Sequence, residues 1–367
     1  MNRLVQRVLP AAGPLSTGIL VLLLLVPAFG PAWAEFRDPL DWPAEELTRL
    51  AERPTQAVAV AGDTLVAVGA RGLIATSSDG QQWQQSPSPV QSDLLAVVFP
   101  TPERGWAVGH DGVILHSADA GRSWEKQLDG RQAEKLFSDY YSHLQADPEV
   151  VESILSAVAL NYGTGPTLPL LDVWFIDAQR GFAVGSFGTL VATRDGGRSW
   201  EPWLHRIDNP DLLNLNAIRG VGEDLYIAAE QGVVFRLHHE TQQFERTDTG
   251  YEGSFFGLLA AGDSVIAYGL SGTAYRSDNQ GQDWTPLLNP SGVSLTAGAT
   301  LSAAGDFVLT NARGDLLLGS SRSDRLELQR GKGFARYTGV AAMNDGQLVI
   351  TSLEGIRAEV LSASARQ

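Results

Sequence analysis

The chain has 367 residues, of which 44% are hydrophobic and 19% charged, and its formal net charge is −15. This acidic balance leaves no basic excess to hold a phosphate backbone, so we expect no nucleic-acid partner. The sequence contains no cysteine, which excludes disulfides, thiolate metal sites, a lipidated N-terminal cysteine and a cysteine nucleophile. Its 39 glycines and 18 prolines are typical of a fold with many short strands and tight turns.

The start of the chain has the three parts of a secretory signal peptide. Arg3 and Arg7 give it a positive charge, Gly18 to Phe29 is apolar, and Ala32-Trp33-Ala34 matches a small-x-small cleavage site. We predict cleavage after Ala34 and a periplasmic or secreted protein without stable membrane insertion. The apolar run is interrupted by proline and is short of the ~20 residues that a bilayer span needs. An uncleaved membrane anchor is the alternative.

After this segment the sequence repeats a unit of about 40 residues that reads as four short strands. One glycine, in the turn between the second and third strands, marks each unit: Gly72, Gly112, Gly188, Gly232, Gly272, Gly314 and Gly355. A four-stranded unit of this length is typical of a propeller blade, which must stack on neighbouring blades to bury its two faces. The sequence therefore predicts an all-β fold, a seven-bladed β-propeller of four-stranded blades.

The spacing of the glycines is regular except between Gly112 and Gly188, which locates an insertion. The predicted divisions are residues 1–34 for the signal peptide, 35–54 for an N-terminal segment, 55–130 for the first two blades, 131–166 for the insertion and 167–367 for the last five blades. The last unit ends near Leu361 without a fourth strand. We expect residues 36–50 to complete it, although Glu45 to Leu50 could equally form a helical turn.

Within the insertion the pattern changes from strand to helix. Apolar residues fall at helical spacing from Gln132 to Leu144. Asp147-Pro148-Glu149 is a strong helix start, with Asp as the cap and Pro in the first turn, and a second apolar stretch follows from Val150 to Val158. The sequence therefore predicts a helical hairpin after the second blade.

The hairpin has two interpretations. Its apolar faces can pack on each other and on the edge of a blade, which needs no further function. Alternatively the hairpin is a docking element for a protein partner, since a propeller can close without it. In that case Leu136, Tyr140 and Tyr141 are the residues predicted to bind the partner.

Four units carry a variant of one loop between the third and fourth strands. Two copies match the Asp-box pattern Ser/Thr-x-Asp-x-Gly-x-Thr/Ser-Trp at every marked position, one with Ser117, Asp119, Gly121 and Trp124 and one with Thr193, Asp195, Gly197 and Trp200. A third copy has Asn279, Gly281 and Trp284, and the copy from Ser77 to Trp83 is one residue short.

The residue types of this loop favour a structural role. The Asp or Asn oxygen can accept backbone N–H bonds across the turn, glycine allows a positive φ, and tryptophan fixes the hairpin to the blade. Carboxylates engaged in their own turns are poorly placed for acid–base catalysis, and each loop offers few oxygens for calcium. We therefore predict no catalytic residue, cofactor site or metal site.

The strand pair GWAVG-x-x-G at 105–112, followed by an Asp box, resembles the bacterial proteins related to the photosystem II stability and assembly factor, within the wider Asp-box (BNR-like) repeat group. The resemblance covers roughly Thr55 to Leu361. It implies a seven-bladed propeller that acts as a non-enzymatic assembly or scaffolding protein in a lumen or periplasm. Relatives outside photosynthetic organisms are often found beside resistance-nodulation-division transporters, which implies an accessory role at an envelope complex and a protein partner there.

This chain departs from the photosynthetic members of that family, which engage their client through an arginine-rich face. It is strongly acidic and carries the helical insertion. The alternative function is a sialidase-like glycoside hydrolase, since Asp boxes also occur in those enzymes. Such an enzyme needs an arginine cluster, a Tyr–Glu pair and an acidic Asp at the propeller centre, and the Arg-Ile-Pro-like motif of the first sialidase blade is absent after the signal. Neither close pair of histidines has an evident third metal ligand beside it.

Overall fold

The computed structural model describes residues 37–163, 165–331, 336–343 and 346–361. The predicted signal peptide and its cleavage after Ala34 lie outside these residues. The described strands form seven antiparallel sheets, in which each strand pairs with the next along the chain. Six sheets have four strands and the last has three. The predicted seven-bladed propeller with a helical hairpin after the second blade is confirmed.

The strands of the seven blades follow one another in chain order. Blades 1 and 2 comprise β1 (Thr55–Ala61), β2 (Thr64–Gly69), β3 (Ile74–Ser77), β4 (Gln84–Gln85), β5 (Leu94–Val98), β6 (Gly105–Gly109), β7 (Ile114–Ser117) and β8 (Glu125–Leu128). Blades 3 and 4 comprise β9 (Leu170–Phe175), β10 (Gly181–Gly185), β11 (Leu190–Thr193), β12 (Glu201–Pro202), β13 (Leu215–Val221), β14 (Asp224–Ala229), β15 (Val233–His238) and β16 (Gln243–Asp248). Blades 5 to 7 comprise β17 (Phe255–Ala261), β18 (Ser264–Gly269), β19 (Ala274–Ser277), β20 (Thr285–Pro286), β21 (Leu295–Thr300), β22 (Asp306–Asn311), β23 (Leu316–Ser320), β24 (Glu327–Gln329), β25 (Tyr337–Ala342), β26 (Gln347–Ser352) and β27 (Gly355–Val360).

The core lies between the blades. The second strand of each blade is buried almost throughout, and in β6 and β10 every residue is buried. These strands are covered on both faces by neighbouring blades, which explains why their apolar residues do not alternate strictly with polar ones. Because the strands run up and down, the turns between second and third strands share one face of the propeller with the connections between blades. The Asp-box turns lie on the opposite face.

In the first and last blades, the glycine that marks the repeat is required by its surroundings as well as by its conformation. At Gly72, φ is +73°, and a Cβ atom would lie 2.0 Å from the carbonyl oxygen of Val90, in the connection to blade 2. At Gly355, in blade 7, a Cβ atom would lie 2.0 Å from the carbonyl oxygen of Ala51. Ala51 belongs to a 3₁₀ turn, Leu50–Glu52. This turn therefore packs against the marker glycine of blade 7. In blade 1 the connection to the next blade takes that place.

The prediction that residues 36–50 complete the last blade is wrong for the described residues. Residues 37–54 form no strand there, and blade 7 keeps three strands, β25 to β27. Leu40 is instead buried in the core between blades 1 and 2, and the Ala44 N–H donates to the Ser88 carbonyl at 3.0 Å. Burial of this leucine places the start of the segment against blades 1 and 2, and only the 3₁₀ turn at its end packs against blade 7. A helical turn does form, but at Leu50–Glu52, at the end of the range considered.

The ring is closed by side chains of the inner strands. Thr338 Oγ1 of blade 7 donates to the Thr55 carbonyl of blade 1 at 2.7 Å, and Thr55 Oγ1 donates to the Ser352 carbonyl at 3.3 Å. Both bonds join residues almost 300 positions apart in sequence. The first and last repeats are thus tied directly to each other.

The insertion forms two helices, α1 (Gly130–His143) and α2 (Pro148–Tyr162). As predicted, Asp147 caps α2 by accepting the Glu149 N–H at 2.9 Å, with Pro148 in the first turn. The start of α1 was missed. Asp129 caps it by accepting the Arg131 and Gln132 N–H groups, and the Gln132 side chain accepts the Asp129 N–H in return.

Candidate partner-binding site

The inner side of the hairpin is part of the propeller core. Phe137 and Tyr141 of α1 and Tyr162 of α2 are buried in one cluster with Trp106 of blade 2 and Phe175 of blade 3. The rings of Trp106 and Phe175 stack with centroids 3.6 Å apart. Packing on the blade edges, the first of the two interpretations, therefore describes this side of the hairpin. Removing the helices would expose aromatic side chains.

The three residues predicted to bind a partner do not form one exposed surface. Tyr141 is 0% exposed, and its hydroxyl group is 3.1 Å from Nδ1 of His205, in the connection between blades 3 and 4. Leu136 and Tyr140 are half-buried and pack against the same core. The prediction for Tyr141 is corrected, because its helical spacing with Phe137 turns both rings toward the blades.

The contact between Tyr141 and His205 attaches α1 to the propeller. The ring of His205 also lies 5.8 Å from that of Tyr140. Burial, followed by the nearby charge of Arg206, lowers the pKa of His205 to about 4, so the imidazole is neutral at pH 7. Burial likewise raises the pKa of Tyr141 well above its usual value. Both groups therefore meet in their uncharged forms.

The outer side of the hairpin is formed by α2, which the sequence pattern did not single out. Val150 is 45% exposed and Leu160 is 79% exposed. Only Val158 and Tyr162 of α2 are buried. The sequence does contain a signal for this surface, because α2 is apolar on more sides than one buried face requires.

Two grooves run along α2. The first, called the helix groove, lies between α2 and the end of α1, has a volume of about 550 Å³ and includes Leu144, Val151 and Leu155. The second, the loop groove, lies between α2 and residues 204–212, has a volume of about 450 Å³ and includes Val150 and Leu212. Both grooves are lined mainly by apolar side chains.

The carboxylates beside these grooves are not neutralised. Glu152 lines the helix groove, and Glu149 and Asp208 line the loop groove. The ion pairs of the hairpin use other carboxylates: Arg131 pairs with Asp41 and Asp129, and Lys135 pairs with Asp139. Among the described residues, no ion pair involves Glu149, Glu152 or Asp208. The exposed residues of α2 therefore combine apolar side chains, among them Val150 and Leu160, with two serines and the unpaired carboxylates of Glu149 and Glu152.

The Asp boxes make the bonds that their residue types suggest. In blade 2, Oδ1 of Asp119 accepts the Ser123 N–H at 2.9 Å, Oδ2 accepts the Ser123 hydroxyl at 2.6 Å, and Trp124 Nε1 donates to the Gly121 carbonyl at 3.0 Å. Burial raises the pKa of Asp119, but the two hydrogen bonds from Ser123 and one from Ser117 outweigh this effect. They hold the pKa of the carboxyl group below its usual value. Both carboxylate oxygens of the aspartate are engaged within its own turn.

The other copies repeat this arrangement with small differences. Asp195 accepts the Ser199 N–H at 2.9 Å, and Gly197 donates to Thr193 Oγ1 at 2.8 Å. In blade 5, Oδ1 of Asn279 accepts the Asp283 N–H at 2.9 Å, Gly281 donates to Ser277, and Trp284 Nε1 donates to the Gly281 carbonyl. Trp200 differs, because its buried Nε1 has no hydrogen-bond partner among the described residues.

The central channel is narrow and holds one arginine among its lining residues. First strands of all seven blades line it, with a volume of about 150 Å³. Arg219 pairs there with Asp172, which also accepts the Ile218 N–H at 2.8 Å. Burial raises the pKa of Asp172, while Arg219 and the backbone donor oppose that rise. Among the described residues, no glutamate lines the channel.

A Tyr–Glu pair does occur in the described residues, but outside the channel lining. Tyr337 donates to Oε1 of Glu359 at 3.1 Å. Burial, followed by the charge of Glu359, raises the pKa of Tyr337 to about 12, whereas a nucleophilic tyrosine needs to lose its proton readily. In the part of the chain that the structure describes, no three His, Asp or Glu side chains could hold a metal ion. Within the same residues, no helix is long and apolar enough to cross a membrane.

Comparison of the sequence with known protein families matches part of this chain to one family. The family described as "Photosynthesis system II assembly factor YCF48" matches residues 152–326, from within α2 to blade 6. The Photosystem II assembly protein Ycf48 of Thermosynechococcus vestitus is 28% identical over 151 residues, which cover 40% of this chain and 43% of the relative. The match thus spans less than half the length of this curated relative. It is also shorter than the resemblance seen in the repeats.

Two solved structures show the same fold at low identity. The structure described as "YCF48 bound to D1 peptide" has a TM-score of 0.61 and 13% identity and covers 88% of this chain and 99% of its own. Virginiamycin B lyase from Staphylococcus aureus has a TM-score of 0.63 and 10% identity and covers 85% and 96%. One of these proteins is named as an enzyme and the other is not. The fold alone therefore does not determine the function.

We predict that Asp119→Ala lowers the free energy of unfolding by about 1–2 kcal/mol, because it leaves the Ser123 N–H and hydroxyl without their acceptor. Asp119→Asn is the matched control and should lose less, because blade 5 uses Asn279 at the same position. The folded-state pKa of Asp119 is lowered, so its stabilisation is present near neutral pH and is lost as the pH falls below about 4. Urea denaturation at pH 7 and pH 3 measures both effects. An Asp119→Ala chain as stable as the wild type would contradict this bonding.

The hairpin attachment should weaken in mild acid. The pKa of His205 is lowered on folding, so its contribution is complete above about pH 6.5 and is lost as the pH falls from there to about 4. His205→Asn, which keeps a hydrogen-bonding group toward Tyr141 but cannot take up a proton, should remove this part of the pH dependence. Thermal unfolding of both chains at several pH values between 7.5 and 4 measures the difference. Parallel curves for the two chains would show that the histidine is not the acid-sensitive contact.

Proposed function

We propose that this chain, which is similar to the photosystem II assembly factors over part of its length, is a non-enzymatic scaffold that helps to assemble or support a protein complex of the cell envelope. The observation that carries the proposal is the outer side of α2, where Val150 and Leu160 are exposed beside two apolar grooves. The hairpin is then the docking element. Its inner side is anchored in the core, so that a partner would meet a fixed surface.

Two further points favour a binding protein. A solved propeller of the same fold is described as "YCF48 bound to D1 peptide", so this architecture can take a peptide partner. The signal-like segment at residues 1–34 supports export to the periplasm or beyond as part of this proposal. A resistance-nodulation-division transporter is the client that the resemblance suggests. Photosystem assembly is disfavoured by the acidic charge.

The alternative, a sialidase-like hydrolase, lacks favourable geometry. The Tyr–Glu pair at Tyr337 and Glu359 has a raised tyrosine pKa, and Arg219 is the only arginine among the described channel-lining residues, where it pairs with Asp172. A substrate carboxylate would have to compete with Asp172 for that guanidinium group. The binding role therefore explains more of the surface than a catalytic role does.

Affinity purification of the tagged protein from its own envelope, with mass spectrometry of the recovered proteins, tests the proposal. We expect one envelope complex to be recovered reproducibly, and its recovery to fall about tenfold or more when Val150 and Leu160 are both changed to serine. Deleting the whole hairpin is a poorer test, because that change exposes the aromatic core described above.

The matched control changes two exposed apolar residues away from the hairpin, Val60→Ser with Leu288→Ser. This variant should recover the complex as the wild type does. Failure of the wild type to recover any envelope protein would overturn the scaffold role. Equal recovery by both serine variants would leave the scaffold role in place and remove the hairpin as the docking element.

A further inference from the structure

α2 carries more apolar surface than the propeller covers. Its 15 residues include two charged side chains, Glu149 and Glu152, and no lysine or arginine. Helices that are apolar on most sides are normally buried, yet only Val158 and Tyr162 of α2 are buried, and Ile154 and Leu155 are partly covered by the core. Val150 and Leu160 are therefore exposed apolar residues without a covering layer among the described residues.

The form of the surface favours a helix as the occupant. α2 offers side chains and two flanking grooves, but its backbone N–H and C=O groups are used within the helix, so an extended strand would find no edge to pair with. The helix groove and the loop groove lie on either side of it and hold apolar side chains at successive turns. An amphipathic helix that lies along such a groove uses side-chain contacts alone.

The charge of the surface favours a basic occupant. Glu152 stands at the helix groove and Glu149 and Asp208 at the loop groove, and none of them has an ion-pair partner in the described residues. Lysine or arginine at the border of a partner helix would pair with these carboxylates at the rim of the contact.

The same charges disfavour two other occupants. A second copy of this chain would bring together two strongly acidic molecules, and its α2 would offer no lysine or arginine to pair with Glu149 and Glu152. An anionic membrane surface would be repelled. We propose that the outer side of α2 binds a partner helix with an apolar stripe bordered by lysine or arginine. This proposal names the partner class of the docking element and rests on the proposed function.

A designed probe tests this surface directly. The probe is a labelled peptide of about 14 residues, or four helical turns, with leucine at helical spacing and lysine beside the leucine stripe. Its counterpart has glutamate in place of every lysine. Fluorescence anisotropy is measured with the chain from Glu35 onward, as the predicted cleavage leaves it. We expect the lysine peptide to bind and the glutamate peptide to bind at least about tenfold more weakly.

Charge reversal on α2 should reverse that preference. Glu149→Lys with Glu152→Lys should weaken the lysine peptide about tenfold and strengthen the glutamate peptide. The control is Glu103→Lys with Glu240→Lys, which changes the net charge equally at exposed sites outside the hairpin. This control should alter neither peptide more than about twofold, because distant surface charges are screened at about 0.15 M salt.

Equal effects of the two double variants would overturn the proposal, because the peptide would then sense only the net charge. Two other results would also overturn it. Concentration-dependent dimers that Val150→Ser with Leu160→Ser abolishes would make a second copy the occupant. Binding to phosphatidylglycerol vesicles that the same variant abolishes would make a membrane the occupant.

The two proposals can fail separately. If charge reversal on α2 reverses the preference between the two peptides but no envelope complex is recovered, the helix-binding site on α2 is supported and the scaffold role is rejected. If recovery of an envelope complex depends on Val150 and Leu160 but the peptide preference does not reverse, the scaffold role is supported and a basic helix as the partner is rejected.

Discussion

The second strand of each blade must be covered on both faces, and the rest of the structure depends on this requirement. Trp106 of β6 illustrates it, because its buried ring stacks on Phe175 of the next blade. No blade can satisfy the requirement alone, so seven repeats close into a ring. The closure then constrains both ends of the repeated region, which is why Thr55 and Thr338 are tied to each other.

Features repeated from blade to blade could be predicted from the sequence. The glycine equivalent to Gly72 recurs in all seven units, and the Asp boxes recur in four and make local bonds, so both leave a periodic pattern. The start of α2 was predictable for the same local reason, since Asp147 caps it through a bond to a residue two positions on.

Features that depend on distant packing could not be predicted. The segment containing Leu40 has no strand pattern that would show which blade it joins, and its position follows from the core between blades 1 and 2. Tyr141 falls at the same helical spacing whether its ring faces a blade or solvent, so only the fold shows that it meets His205. The start of α1 was hidden because its cap, Asp129, directly follows Leu128, the last residue of β8.

The hairpin combines two requirements in one element. Its inner aromatic residues belong to the core and its outer apolar residues do not, so the proposed docking surface lies on the side of the helices that faces away from the core. Such a division lets Val150 or Leu160 be replaced without a large loss of stability, because exposed positions contribute little to folding. The Asp boxes lie on the other face of the propeller and stabilise its scaffold.

Hydrogen exchange of the protein, free and in the envelope complex recovered with it, tests the docking role of the hairpin most directly. We expect the added protection in the complex to fall on residues 144–163 and 204–212, along the two grooves of α2. Added protection confined to the Asp-box face or to the mouth of the channel, with none on the hairpin, would contradict that role.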